Sequence, residues 1–129
     1  MLIYIDTSVL LASVLAEDVA PPDSLWEEDL VSSRLLTYET HVRFHREPGF
    51  GERLADARLL LARVHLMEMA PPVLARALEP FPVPVRALDA IHLATIDYLA
   101  RQGSAPRLAT WDDRLGRAAK AMGIRLARL

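Results

Sequence analysis

Short apolar runs alternate with longer stretches of helical periodicity along most of the chain. Leu2-Ile3-Tyr4-Ile5 reads as a buried strand, and Asp6-Thr7-Ser8 ends it. Ser8 to Ala16 follows as a helix that Thr7 or Ser8 is suited to cap. Pro21-Pro22-Asp23-Ser24 breaks the chain and opens a short acidic helix. Leu30 to Ser33 is a weak second strand, and Leu36 to Arg46 an amphipathic helix with Glu39 in its first turn, stopped by Pro48-Gly49. Glu52 to Val64 places Leu54, Ala57, Leu61 and Val64 at helical spacing, and His65 to Met69 reads as a short strand. Pro71-Pro72 opens a helix through Leu78. Pro80, Pro82 and Pro84 then force an extended connection, because each lacks an amide donor and restrains the residue before it. Ala87 to Arg101 is the most regular helix, with Leu88, Ile91, His92, Ile96 and Leu99 in register and Gly103 as its left-handed stop. Arg107 to Thr110 is strand-like, Asp113 to Met122 helical, Gly123 a stop, and Ile124 to Ala127 a closing strand.

Strands alternating with helices imply an α/β fold, a three-layer α/β/α sandwich around a mostly parallel sheet. The 129 residues suit one domain spanning 1–129, with no internal repeat or linker. No cysteine is present, which excludes a disulfide framework, a thiol nucleophile and thiolate zinc sites, and agrees with a reducing cytoplasm. His41, His45, His65 and His92 form no zinc-binding spacing, so oxygen ligands are expected for any metal. The chain has no run of apolar residues long enough to span a membrane and no cleavable leader pattern, so a soluble, unprocessed protein is expected.

The formal net charge of −2 hides an asymmetry. Glu17 to Asp29 holds six acids and no base, while Arg101 to Leu129 holds seven bases against Asp112 and Asp113. The basic end could face an anionic polymer, or both segments could be solvated helix faces.

Four acids share one topological address. Asp6 and Asp112 each follow a strand, and Glu39 and Asp89 each lie near the start of a helix that begins at the same sheet edge, where open α/β sheets gather ligands. Carboxylates so gathered repel one another unless hard divalent cations lie between them, which points to Mg²⁺ or Mn²⁺ and to phosphate chemistry. Individually these acids have ordinary readings: Asp89 interacting with the helix dipole, and Glu39 pairing with Arg43 at i+4.

The segments Ile3-Tyr4-Ile5-Asp6-Thr7-Ser8, Ser33-Arg34-Leu35-Leu36-Thr37-Tyr38-Glu39, Arg86-Ala87-Leu88-Asp89-Ala90-Ile91-His92-Leu93-Ala94-Thr95 and Leu108-Ala109-Thr110-Trp111-Asp112-Asp113-Arg114-Leu115 together resemble PIN-domain ribonucleases, and within them the VapC toxins of toxin–antitoxin pairs. The resemblance implies a Mg²⁺- or Mn²⁺-dependent endoribonuclease acting on RNA, a homodimer, and a VapB-like antitoxin partner. It makes Asp6, Glu39, Asp89 and Asp112 the catalytic and metal-binding acids, with Thr7, Ser8 and Thr110 supporting them. Many relatives carry another acid where this chain has Arg114; the adjacent Asp113 is expected to cap the last helix and is a lesser metal candidate. His92, three residues after Asp89 on the same helical face, invites a metal or acid–base role but is expected instead to pack or hydrogen-bond as part of the helix. Asp97 reads as solvated, and Tyr38 and Trp111, beside candidate acids, are base-stacking candidates, with core packing the expected role for Trp111. Two rival readings remain. A phosphoacceptor domain would want a strand-end lysine, and Lys120 in the last helix is the only lysine; a catalytically silent member of the same fold would have no use for four repelling acids.

Overall fold

The computed structural model describes residues 1–15 and 20–129. The end of the first expected helix, Ala16, and two of the six acids, Glu17 and Asp18, lie outside the described residues. Four strands, β1 (Leu2–Ile5), β2 (Asp29–Ser33), β3 (Val64–Met67) and β4 (Arg107–Ala109), form an all-parallel sheet in the order β3-β2-β1-β4. Parallel neighbours need crossover connections. Here α1 (Thr7–Leu15), α2 (Leu35–Arg46), α3 (Leu54–Leu61), α4 (Pro71–Ala77), α5 (Ala87–Arg101) and α6 (Asp113–Ala121) supply helices for both faces.

Alternation along the strands sorts the core into two halves. Ile3, Ile5, Leu30, Val64 and Ala109 face one side, against Val9 and Leu10 of α1, Phe44 of α2 and Leu54, Ala57 and Leu61 of α3. Tyr4, Val31 and Leu108 face the other, against Leu93 and Ile96 of α5 and Leu115 and Ala118 of α6. A fully buried side chain of this size contributes about 1.5–3 kcal/mol, and a one-residue slip would turn every strand residue to the wrong face. The register therefore fixes where each strand ends.

Four sequence expectations need correction. The helix expected over Glu52 to Val64 is a 3-10 turn at Gly51–Arg53 followed by α3, because Val64 leaves the helix to pair with Leu30 as the first residue of β3. The closing strand shrinks to one parallel bridge between Leu108 and Leu126, since β4 is only three residues long and presents few ladder groups. Asp97 is half-buried and held by Arg76 and Arg101, each at 3.1 Å, which ties α4 to α5. Trp111 is 37% exposed and lies outside both core halves.

The chain runs from β1 outward through β2 to β3 and then returns to place β4 on the opposite side of β1. The reversal falls between β1 and β4, and in open α/β sheets a crevice forms at the carboxyl ends of such strands. Ile5 is paired with Ala109, so Asp6 and Thr110 leave the sheet side by side.

Candidate active site

Asp6 occupies that crevice as both strand end and helix cap. It is 5% exposed, and its Oδ1 accepts hydrogen bonds from Ser8 Oγ at 2.6 Å and from the Val9 amide at 3.4 Å. Thr7 and Ser8, expected as caps, lie inside α1, and Asp6 holds the cap position because its carboxylate reaches the third helical amide. Asp6 Oδ2 accepts from Thr110 Oγ1 at 2.7 Å. Burial pushes its carboxyl above the usual range, opposed by the Ser8 and Thr110 hydrogen bonds.

Asp112 repeats the arrangement after β4. Its extended backbone makes it the cap of α6, and its Oδ1 accepts from the amides of Arg114 at 3.0 Å and Leu115 at 3.2 Å. Asp113, expected in this role, is already the first helical residue, exposed and outside the cleft lining. Thr110 links the two acids: its hydroxyl donates to Asp6 and accepts the Asp112 amide at 2.9 Å.

Glu39 lies in the second turn of α2, because Ser33 Oγ takes the Leu35 amide and the helix begins at Leu35. It does not pair with Arg43, whose carboxylate partner is Glu47 at 3.4 Å. Instead Glu39 Oε1 is reached by Thr7 Oγ1 at 3.1 Å and by His92 Nε2 at 2.6 Å. His92 Nδ1 lies 2.6 Å from the hydroxyl of fully buried Tyr4, which also accepts the Ser33 amide at 3.1 Å. Desolvation raises the Tyr4 pKa well above that of an exposed phenol, so the hydroxyl keeps its proton. With the Ser33 amide donating to it, the Tyr4 hydroxyl is placed to donate to His92 Nδ1, and His92 Nε2 faces Glu39. Tyr4, His92 and Glu39 thus form a relay from β1 through α5 to α2.

Asp89 does what a helix-start acid does, its Oδ2 accepting the Arg86 amide at 3.4 Å. The same oxygen also takes Arg114 Nε at 3.0 Å, and Arg114 Nη2 lies 3.8 Å from Asp112 Oδ2. The guanidinium therefore bridges two of the four acids.

Asp6, Glu39, Asp89 and Asp112 all line one cleft of about 450 Å³, together with Thr7, Ser8 and His92. Leu11 and Leu35 are buried in its lining, and its exposed rim carries Val42, Leu88 and Tyr38, the last 60% exposed, beside Arg43 and Arg46. Among the described residues no three histidine or acidic side chains are close enough to form a coordination sphere as they stand, since each carboxylate is turned to a protein partner. Tyr4 and the Arg114 bridge escaped the sequence reading. A tyrosine inside an otherwise aliphatic strand was the available signal for the first, because a buried hydroxyl needs a partner.

Comparison with known proteins agrees with this architecture. Residues 3–121 match the PIN domain family. Ribonuclease VapC46 of Mycobacterium tuberculosis is 35% identical over 127 residues, covering 95% of this chain and 93% of its own. Ribonuclease VapC47 of the same species is 31% identical over 132 residues, with the same coverage. The crystal structure of VapBC2 from Rickettsia felis bound to a promoter DNA fragment contains a chain with the same fold, at TM-score 0.69 and 13% identity over 98% of both chains. A match over most of the chain, with relatives above 30% identity along nearly all of it, makes this protein a member of the PIN-domain family, among its VapC-type proteins.

Proposed function

We propose that this chain is a Mg²⁺- or Mn²⁺-dependent endoribonuclease, the toxin of a VapBC-type pair. The observation that carries the reading is the convergence of four carboxylates, from four separate elements, on one cleft at the switch point of the sheet. The donor set fits a hard divalent ion: it is made of carboxylate oxygens, and Glu39 Oε2 and Asp89 Oδ1 carry no hydrogen bond among the described residues. When bound, such an ion supplies Lewis acidity, making water a competent nucleophile near neutral pH and offsetting charge on the phosphate.

The side chains position that chemistry. Thr110 keeps Asp6 and Asp112 in register, Ser8 fixes the orientation of Asp6, and the Tyr4–His92 relay holds Glu39 against the same space. No side chain acts as nucleophile, and the products carry a 5′-phosphate and a free 3′-hydroxyl. Arg43 and Arg46 on the rim offset phosphate charge approaching the acidic floor, and Tyr38 offers a face to an unpaired base, worth about 1–3 kcal/mol. The apolar rim residues suit the helix of a VapB-like antitoxin, and the protein acts as a homodimer in the cytoplasm. No helix among the described residues is long and apolar enough to cross a membrane.

The test is cleavage of a mixed RNA pool by purified protein, free of any partner, in Mg²⁺ or Mn²⁺, against EDTA and against Asp6→Asn. Metal-dependent cuts absent from both controls are expected. A folded protein that cuts no RNA in the pool would favour a catalytically silent binding module.

A further inference from the structure

We propose that Arg114 is a resident counter-cation of the acidic cleft, standing in place of a second metal ion, so that the centre takes one divalent ion. The inference rests on the metal-dependent reading above and concerns how many ions the cleft accepts and how tightly.

The four acids are neutralised unevenly. Asp6 is held by hydroxyls and an amide, and Glu39 by a hydroxyl and His92 Nε2, so neither has an arginine or lysine partner among the described residues. Asp89 and Asp112 share one. Arg114 Nε is 3.0 Å from Asp89 Oδ2, and Nη2 is 3.8 Å from Asp112 Oδ2. The Asp89 side chain is 13% exposed and that of Arg114 39%, so water screens this pair only in part.

Arg114 is fixed to the cluster by the backbone as well as by charge. Its own amide donates to Asp112 Oδ1 at 3.0 Å as part of the α6 cap, so the guanidinium and one of its acids share an anchor. An ion approaching Asp89 and Asp112 meets a positive group already in contact with both carboxylates. It must either displace the guanidinium or accept strong like-charge repulsion at short range. The Asp6–Asp112 side, joined through Thr110, would be left to hold a single ion, with Glu39 and Asp89 as the further carboxylates able to supply oxygens to it.

The experiment is a Mn²⁺ titration read by loss of the free-ion paramagnetic resonance signal, with no RNA present. It uses wild type, Arg114→Glu, Arg114→Gln and Arg114→Lys. An acid at this position lies in the first turn of α6, where it suits the helix dipole, so Arg114→Glu is expected to fold. Wild type and Arg114→Lys should bind one Mn²⁺ per chain. Arg114→Gln should bind that ion at least tenfold more tightly, and Arg114→Glu should bind two. Should Arg114→Glu not fold, the tightening in Arg114→Gln decides. Two ions in wild type, or unchanged stoichiometry and affinity in folded Arg114→Glu and Arg114→Gln, would overturn the counter-cation proposal while leaving metal binding intact. No Mn²⁺ bound by any variant would overturn the metal-dependent reading itself, and this proposal with it.

Discussion

Tyr4→Phe isolates the relay that positions Glu39 without touching any acid. The substitution keeps the ring and its edge-on packing against His92, with centroids 5.7 Å apart, and removes only the hydroxyl. Two buried groups lose their partner: the Ser33 amide at 3.1 Å and His92 Nδ1 at 2.6 Å. Ser33 is wholly buried and His92 nearly so, and neither has water to turn to. An orphaned buried polar group costs roughly 1–3 kcal/mol, so two of them, less the easier burial of Phe, cost about 2–4 kcal/mol. That is a large part of a typical stability of roughly 5–15 kcal/mol. Urea unfolding should show the loss as a lower midpoint at unchanged slope. A double-mutant cycle with His92→Phe should return a coupling above about 0.5 kcal/mol. Imidazole ¹⁵N shifts in wild type should show Nδ1 unprotonated and Nε2 protonated. A loss below about 0.5 kcal/mol, with no coupling, would refute the relay as a structural unit.

Other perturbations probe the cleft and its surroundings. Thr110→Val cuts the link between Asp6 and Asp112 while preserving shape, and RNA cleavage should fall about 10–100-fold, with circular dichroism unchanged. Asp6→Asn should abolish cleavage yet leave the metal-stripped fold at least as stable at neutral pH, as read by thermal unfolding. Because burial raises this carboxyl in the fold, the native state binds more protons than the unfolded state. The stability this group contributes is therefore present below the ordinary carboxylate range and lost as pH rises through the raised pKa. Wild type in EDTA should lose stability over that window, and Asp6→Asn should lose less. Asp97→Asn should lower stability by about 1 kcal/mol, mostly through the half-buried Arg76 contact, and cleavage rates should not change.

Where the sequence was legible, the determining interactions were local. The run Leu2–Ile5 and the helix Ala87–Arg101 appear with the expected bounds because strand alternation and a 3.6-residue period are written in neighbouring positions. The address of the four acids was equally readable, since a residue just after a strand or at a helix start lies at the sheet edge whatever surrounds it. Their partners were not readable in this way. The Tyr4–His92, His92–Glu39 and Thr110–Asp6 contacts join residues 88, 53 and 104 positions apart, and no periodicity encodes such pairings. The caps were misassigned by one or two positions because Asp6 and Asp112 serve the helix and the cleft with the same carboxylate. Arg114 was noticed as a departure from the family pattern, but that it bridges two acids depends on how α5 and α6 meet.

The central claim, that these four acids hold one metal centre, is tested most directly by mapping Mn²⁺ onto the protein through paramagnetic broadening of its amide resonances at substoichiometric metal. The predicted result is broadening confined to residues around Asp6, Glu39, Asp89 and Thr110 to Arg114, abolished by Asp6→Asn. Broadening centred on the acidic segment Asp23 to Asp29, or spread evenly over surface carboxylates, would contradict it.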